Sequence, residues 1–398
     1  MAYNCEIISA TPDGITIPAG TYYLFVIGAY DYSTTEATKR VLVRGSYTWS
    51  SLRCYVKSNG AGTATVIKSR INAVDGTQVL SIPAATTGEF KDTTHSDALV
   101  NGNLICWSYV RGSDVNITNM NSLLNSASNI PIEAITGVIN FETKWGAIDG
   151  GNTGMTAAGE SDVQYTARTG GTYSNLAVYI ASAAPNAGTV KFRKNTADGN
   201  QLVSIPNAGS GWYEDAVNTD VVAAGDVIDV AGASAGTMSC TVIQTKLTSA
   251  NRIMITGYDL SVYLWTTCYL PAEGNLDFYC TVEARAQTPP FVATKRSKLF
   301  VRIKSSSTTV ATTFKSRKNS ANGNMSVSMG AGATGVFEDL VNTDSLIATD
   351  LFGTIFNYAG AAGLSPTLIG YTDGEPPALP ASKPMGNIAA KLVAAGAI

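Results

Sequence analysis

Residues 192–220 read FRKNTADGNQLVSIPNAGSGWYEDAVNTD, and residues 69–97 and 316–344 repeat this pattern without an internal gap. The recurring arginines are Arg70, Arg193 and Arg317, so the copies are offset by 123 and then 124 residues. A period of this length is that of a whole domain, since solenoid repeats span only about 20 to 50 residues. The chain is therefore predicted to contain three tandem copies of one fold.

Each copy contains an Asx-Gly pair between two runs of alternating apolar residues. An asparagine precedes each pair by three residues, and the sets are Asn72 with Asp75-Gly76, Asn195 with Asp198-Gly199, and Asn319 with Asn322-Gly323. Glycine tolerates positive φ, and an Asx side chain can close a turn on its own backbone. The pattern predicts a tight hairpin turn at the Asx-Gly pair of every copy.

Apolar residues alternate with polar ones after this pair. In the first copy Leu80 and Ile82 share one face and Ser81 points to the other, which indicates a half-buried β-strand. A glycine then precedes an aromatic residue by two positions and an aspartate by four. The three sets are Gly88, Phe90 and Asp92; Gly211, Tyr213 and Asp215; and Gly335, Phe337 and Asp339. We expect the aromatic residue to anchor the core and the aspartate to hold a loop.

The composition favours an all-β protein with a largely neutral polar surface, since charged residues make up only 14% of the chain, against about 25% in a typical soluble domain. We predict three β-sandwich repeats over residues 1–126, 127–250 and 251–376, with Ser/Asn-rich boundaries near Ser126 and Ala250. Four prolines then exclude regular strands, and an Ala-rich apolar run ends the chain. Residues 377–398 are expected to be a C-terminal docking tail.

Cysteine and histidine usage argues against metal sites and cofactors. The six cysteines do not recur at equivalent repeat positions and form no CxxC motif, so we expect buried free thiols, although Cys268 and Cys280 could be cross-strand neighbours. The single histidine, His95, stands where the other copies have Asn218 and Asn342, so it is not expected to be a general base. No cofactor is predicted.

Other functional classes have weaker support. The pairs Glu214-Asp215 and Glu338-Asp339 could serve a glycosidase, but adjacent strand residues face opposite sides of a sheet. The net charge of −3 argues against nucleic-acid binding. The start of the chain has no signal-peptide pattern, and no apolar run is long enough for a membrane span. The five tryptophans could include a sugar-stacking platform, although core packing is their commoner role.

One stretch of the second copy carries a resemblance. The run from Val190 to Pro206, VKFRKNTADGNQLVSIP, is followed by GWYEDAVNTD at residues 211–220 and by Ala224-Gly225-Asp226. It resembles the repeat module of structural proteins of tailed bacteriophages, in which these elements belong to jelly-roll-like β-sandwiches. The resemblance covers the middle of each copy, about half of the chain. The first copy departs from it at Ile71 and the third at Gly330.

The resemblance implies a non-enzymatic structural protein of a tailed-phage virion, assembled in the host cytoplasm. A capsid-surface decoration or accessory protein is the first expectation, with copies of itself and other virion proteins as partners and neither nucleic-acid binding nor membrane insertion. The alternative is a tail-associated adhesion protein that binds host-surface glycan. A polysaccharide-degrading enzyme is the third hypothesis. The sequence leaves head or tail location, oligomeric state and receptor open.

Overall fold

The computed structural model describes residues 3–29, 32–111, 114–126, 130–148, 150–151, 159–182, 184–249, 251–257, 267–272, 274–275, 282–288, 290, 293–357 and 363–374. Nearly all of the regular structure is β-strand in antiparallel sheets, which confirms the all-β prediction. The helices of the described part are two 3-10 helices, Glu36–Lys39 and Glu160–Asp162, and the single-turn α1, Glu283–Ala286. The predicted docking tail, residues 377–398, lies outside the described residues.

In its described residues the first repeat has eleven strands in two sheets. They are β1 Tyr3–Ile17, β2 Gly20–Leu24, β3 Gly28–Ala29, β4 Tyr32–Ser33, β5 Val41–Leu42, β6 Tyr47–Asn59, β7 Thr65–Ile71, β8 Val74–Ile82, β9 Gly88–Leu99, β10 Leu104–Arg111 and β11 Val115–Ser126. One sheet has the order β3-β1-β11-β6-β9 and the other β4-β2-β10-β7-β8.

The second repeat is built in the same way, except that one long strand serves both halves of the sandwich. Its strands are β12 Ile130–Gly146, β13 Gly150–Gly151, β14 Tyr165–Thr166, β15 Gly171–Ile180, β16 Gly188–Lys194, β17 Ala197–Ile205, β18 Gly211–Val222 and β19 Val227–Thr248. The first half of β19 pairs with β16, and its second half lies between β12 and β15. It therefore takes the places of both β10 and β11.

The third repeat again has two sheets. Its strands are β20 Arg252–Gly257, β21 Thr267–Leu270, β22 Gly274–Asn275, β23 Thr294–Ser306, β24 Thr312–Lys318, β25 Ala321–Met329, β26 Gly335–Leu346, β27 Phe352–Asn357 and β28 Leu364–Gly374. The orders are β22-β20-β28-β23-β26 and β21-β27-β24-β25. Every strand pairing that the structure describes joins residues of one predicted repeat.

The three repeats share one strand order. In each repeat the first strand pairs with the last strand, the last strand pairs with the strand before the hairpin, and that strand pairs with the one after the hairpin; a two-residue parallel strand pairs with the first strand. Antiparallel sheets in this order are those of an all-β sandwich fold. The repeats also share a bulge in β6, β15 and β23, where Ser51, Asn175 and Lys298 have positive φ.

The cores lie between the two sheets of each repeat. In the first repeat, the rings of Trp49 and Trp107 pack 4.3 Å apart and are fully buried. Leu80 and Ile82 are buried and Ser81 is exposed, so the alternation predicted for this strand is confirmed. The apolar cores are not separate, because Phe300 and Leu368 of the third repeat pack with the core of the first two, and Ile8 packs with the core of the third.

Candidate functional site: braced edges and the seams between repeats

The hairpin of each repeat turns at a different place from the predicted one. Arg70 pairs with Asp75 and Ile71 with Val74, so the two turn residues are Asn72 and Ala73, both with positive φ. The corresponding turns are Asn195-Thr196 and Asn319-Ser320. Turn prediction at the Asx-Gly pair is therefore wrong by three residues, whereas Asn72, Asn195 and Asn319 do lie in turns.

Gly76, Gly199 and Gly323 lie inside strands, where a carboxylate approaches the backbone too closely for a side chain. A Cβ on Gly199 would lie 2.7 Å from a carboxylate oxygen of Asp220, and one on Gly76 would lie 2.8 Å from Asp97. A Cβ on Gly323 would meet Asp344 in the same way. Close packing, and not turn geometry, explains the glycine at this position.

Asp97, Asp220 and Asp344 connect the edge strands of the two sheets. Asp97 accepts the backbone N–H of Thr77 at 2.6 Å and the Ser69 hydroxyl at 2.5 Å. Asp220 likewise accepts the N–H groups of Asn200 and Gln201, at 2.7 and 3.1 Å. These carboxylates satisfy N–H groups of β8 and β17 that would otherwise be free to pair with another chain.

Asp92, Asp215 and Asp339 hold a bulge in the neighbouring edge strand. Asp215 accepts the N–H of Leu202 at 2.8 Å, across the sandwich edge, and the N–H groups of Val217 and Asn218 in its own strand. Asp92 and Asp339 make the same set of bonds. Gly88, Gly211 and Gly335 begin these strands with φ between 91° and 109°, a conformation that favours glycine. The bulge is thus a rigid feature of all three repeats.

His95 belongs to this brace. Its Nδ1 lies 2.9 Å from Oδ2 of Asp92, and the Nδ2 atoms of Asn218 and Asn342 lie 2.9 and 3.0 Å from the equivalent carboxylates. Burial alone would raise the pKa of Asp92, but hydrogen bonds from Val79, Thr94 and His95 outweigh it and lower that pKa to about 2. The histidine therefore occupies a position that asparagine fills equally well.

A recurring Arg–Glu pair was not predicted from the sequence. Arg70, Arg193 and Arg317 bind Glu36, Glu160 and Glu283, each of which is the first residue of a short helix. Each arginine also binds a backbone carbonyl of the hairpin turn beside it. The recurrence of these glutamates at nearly constant distance from the arginine is the signal that could have revealed the pair.

In the first two repeats, the segment after the short helix, which we call the strap, contacts the next repeat. In the first repeat the strap is residues 41–44. The Leu42 backbone exchanges two hydrogen bonds with the Gln244 side chain, at 2.9 and 2.7 Å, and Arg44 forms an ion pair with Glu214. Asn175 donates to the same glutamate at 2.9 Å. The seam between the first two repeats is therefore polar at its rim and ordered.

The strap of the second repeat, residues 164–168, contacts the third repeat in the same way. Arg168 forms an ion pair with Glu338, and the rings of Tyr165 and Phe300 lie 5.2 Å apart. Between the third and first repeats, α1 contacts β1 and β11, and Asn119 donates to the backbone carbonyl of Arg285 at 3.5 Å. Each repeat thus contacts the next, and the third contacts the first.

The two-residue strands complete this cyclic arrangement. β3, β13 and β22 contact one another, and each also contacts the long first strand of the following repeat: β3 contacts β12, β13 contacts β20, and β22 contacts β1. Three equivalent elements in mutual contact, with cyclic contacts around them, define a pseudo-threefold axis. The chain is therefore a closed ring of three repeats.

The residues considered for catalysis do not converge. Glu214 and Glu338 belong to the seams, whereas the adjacent Asp215 and Asp339 face the hairpin strands. Among the residues that the structure describes, no three His, Cys, Asp or Glu side chains group as metal ligands. Cys54, Cys106 and Cys240 are buried free thiols, and Cys268 is also buried, while Cys280 lies outside the described residues. Burial raises the pKa of Cys240 to about 12, so its thiolate is disfavoured.

The described surface also carries exposed apolar residues and a half-buried aromatic pair. The bulges of the second and third repeats present Val217 and Val341, which are 86% and 85% exposed. In the second repeat, the half-buried rings of Tyr179 and Trp212 lie 5.4 Å apart, inclined at 55°. Trp265, the fifth tryptophan considered for sugar stacking, lies outside the described residues.

No family model matches the chain, and no curated protein matches it significantly. Within the described residues, no helix has the length and apolar character needed to cross a membrane.

Proposed function

We propose that the chain is a non-enzymatic structural protein of a tailed-phage virion, acting as a capsid-surface decoration or accessory protein. The observation that supports this proposal most directly is the set of bonds made by the recurrent aspartates. In every repeat the aspartates equivalent to Asp92 and Asp97 bind backbone N–H groups at the sandwich edge. This is the use expected of a scaffold that must be rigid and must not pair strands at random.

The ring supports the same proposal. Its repeats pack against one another through straps, ion pairs and continuous apolar cores. The energy that holds the repeats together therefore comes from a large buried area and not from one strong site. The strand bulges that expose Val217 and Val341 offer further apolar contact for a neighbouring virion protein. The resemblance of residues 190–226 to virion modules supplies the biological setting.

Purified particles test this proposal. A peptide tag inserted at the exposed turn Asn195-Thr196 allows gold or antibody labelling, and we expect regular label on the particle surface. Particles that form normally and carry none of the chain, in a host where the chain is expressed, would contradict the proposal. A matched tag in the same turn of the first repeat, Asn72-Ala73, shows whether the tag itself prevents incorporation.

A second function is favoured by the aromatic pair of the second repeat. The neighbouring rings of Tyr179 and Trp212 could stack on a sugar, so a tail-associated protein that binds host-surface glycan is the alternative. The equivalent positions of the first repeat are Tyr55 and Glu89. A glycan array with the full chain decides: specific binding that Trp212→Ala abolishes favours adhesion, and the absence of binding favours decoration.

A further inference from the structure

Asp229 is a buried carboxyl group in the interior of the second repeat. It lies on β19 opposite Arg193 of β16, and its side chain is fully buried. Among the described residues, neither of its carboxyl oxygens has a hydrogen-bond partner of good geometry, although the side chains of Gln164 and Glu160 lie close enough to shift its pKa. A buried carboxylate without hydrogen bonds is strongly disfavoured relative to its protonated form.

The neighbouring cation, Arg193, already donates hydrogen bonds to three other groups. Arg193 donates through Nε to Glu160 at 2.9 Å, through Nη1 to Asp198 and through Nη2 to the carbonyl of Thr196. Lys191, the other cation of the cluster, pairs with Asp198. Three carboxyl groups therefore face two cations, and within the described residues Asp229 is the one of the three that forms no ion pair.

The other repeats lack this carboxyl group. Cys106 stands opposite Arg70, and Gly353 stands opposite Arg317, while the Arg–Glu pair persists in both. The scaffold therefore does not require an acid at this position. Burial, followed by the nearby Glu160 carboxylate, raises the pKa of Asp229 to about 8, so the protonated group can donate to Glu160 at neutral pH.

Glu160 connects this site to the seam with the third repeat. It begins the 3-10 helix Glu160–Asp162, and the strap follows directly. The Gln164 carbonyl accepts a hydrogen bond from Arg302 at 3.3 Å, and Arg168 forms its ion pair with Glu338. A change in the position of this helix therefore acts on the contacts between repeats two and three.

We propose that Asp229 is a proton-controlled latch of this seam. When Asp229 is protonated, it carries no charge and does not repel the Glu160 carboxylate. The 3-10 helix then stays packed against β16 and β19. When the proton leaves, two carboxylates face each other in a buried space, and the helix and strap of residues 160–168 separate from the sheet. The seam between the second and third repeats then loosens, while the seam between the first and second does not.

The direction of the pH dependence follows from the raised pKa in the folded state. The stabilisation is complete below the unfolded value near 4 and is lost as the pH rises through about 8. Between these values the folded chain retains a proton that the unfolded chain releases. The seam is therefore expected to weaken from neutral to alkaline pH.

Backbone hydrogen exchange of the full chain between about pH 6 and pH 9.5, corrected for intrinsic rates, tests the latch. We expect the protection of residues 164–168 to fall about tenfold per pH unit above 8, while residues 41–44 keep theirs. Asp229→Asn, which is neutral at every pH, should abolish the fall. The control Asp75→Asn makes the same type of change in the first repeat, where the third repeat has Asn322, and should behave as the parent chain.

Two results would overturn the proposal: an equal fall in Asp229→Asn, or constant protection in the parent chain. If Asp229→Asn does not fold, infrared difference spectroscopy of the parent chain decides instead. We expect a protonated-carboxyl band that disappears with a midpoint near pH 8. Its absence at neutral pH would show that Asp229 is ionised and that no latch exists.

Discussion

At the scale of single residues, each repeat depends on two carboxylates that take the place of backbone pairing. Asp92 and Asp97, with their equivalents, accept N–H groups where the edge strands of the two sheets meet. The side chains beside them vary as long as they can donate a hydrogen bond. This position is therefore His95 in the first repeat and asparagine, Asn218 and Asn342, in the other two.

The substitution His95→Asn should be neutral for folding. The asparagines at the equivalent positions make the same contact with their aspartates, so we expect the free energy of unfolding to change by less than about 0.5 kcal/mol. Urea unfolding of parent and variant measures this change. Loss of particle incorporation or host adsorption in a variant that folds normally would show that the imidazole has a functional role.

Asp92→Asn should destabilise the chain at neutral pH but not in strong acid. The pKa of Asp92 is lowered to about 2, so the carboxylate contributes about 2 kcal/mol above pH 4, and this contribution is lost as the pH falls through 2. Thermal unfolding of both chains between about pH 7 and pH 1.5 should show the difference shrinking. A difference independent of pH would mean that shape, and not charge, explains the effect.

At the scale of the elements, the sequence predicted the strands well and the turn poorly. Period-two alternation predicted the buried face of β8, because burial acts on every second residue. Gly76 is predicted to be a turn residue, but it is required by the Ser69 hydroxyl on β7 and by the Asp97 carboxylate on β9, which would both meet a Cβ at this position. A local pattern cannot reveal a steric constraint from another strand.

Replacing Gly199 by alanine should lower the free energy of unfolding, although Gly199 lies in an extended strand. In Gly199→Ala the new methyl group would lie 2.7 Å from Asp220, so we expect a loss of about 2 kcal/mol in unfolding free energy. Gly62→Ala is the matched control, since a Cβ there meets no atom within 4 Å and should change stability little. Equal effects of the two substitutions would contradict the close-approach explanation.

At the scale of the whole molecule, the sequence predicted three repeats but not their arrangement. Tandem copies can form a row or a ring, and spacing alone does not distinguish these. Arg44 and Arg168 lie 124 residues apart, and their partners Glu214 and Glu338 also do, but an ion pair between repeats is apparent only when their faces are known. Relative packing therefore had to come from the structure.

The Arg44–Glu214 ion pair of the seam should contribute measurably to the free energy of unfolding. A double-mutant cycle of Arg44→Ala and Glu214→Ala is expected to give a coupling of about 1 to 2 kcal/mol, because both side chains are largely buried in the seam. The same cycle at Glu89 and Lys91, which are 3.9 Å apart and more exposed, should give a coupling near zero. Urea unfolding measures both cycles. A coupling near zero at Arg44–Glu214 would show that the seam does not depend on it.

The closed ring is the central feature of this account, and distances between spin labels test it most directly. Ser81, Ser204 and Ser328 are exposed and equivalent in the three repeats, so Ser→Cys pairs of these positions place labels at the corners of the ring. Pulsed electron–electron double resonance on the three double variants should give three similar distances between the labels, including the distance between the first and third repeats. A first-to-third distance about twice the other two would indicate a linear array and contradict the ring.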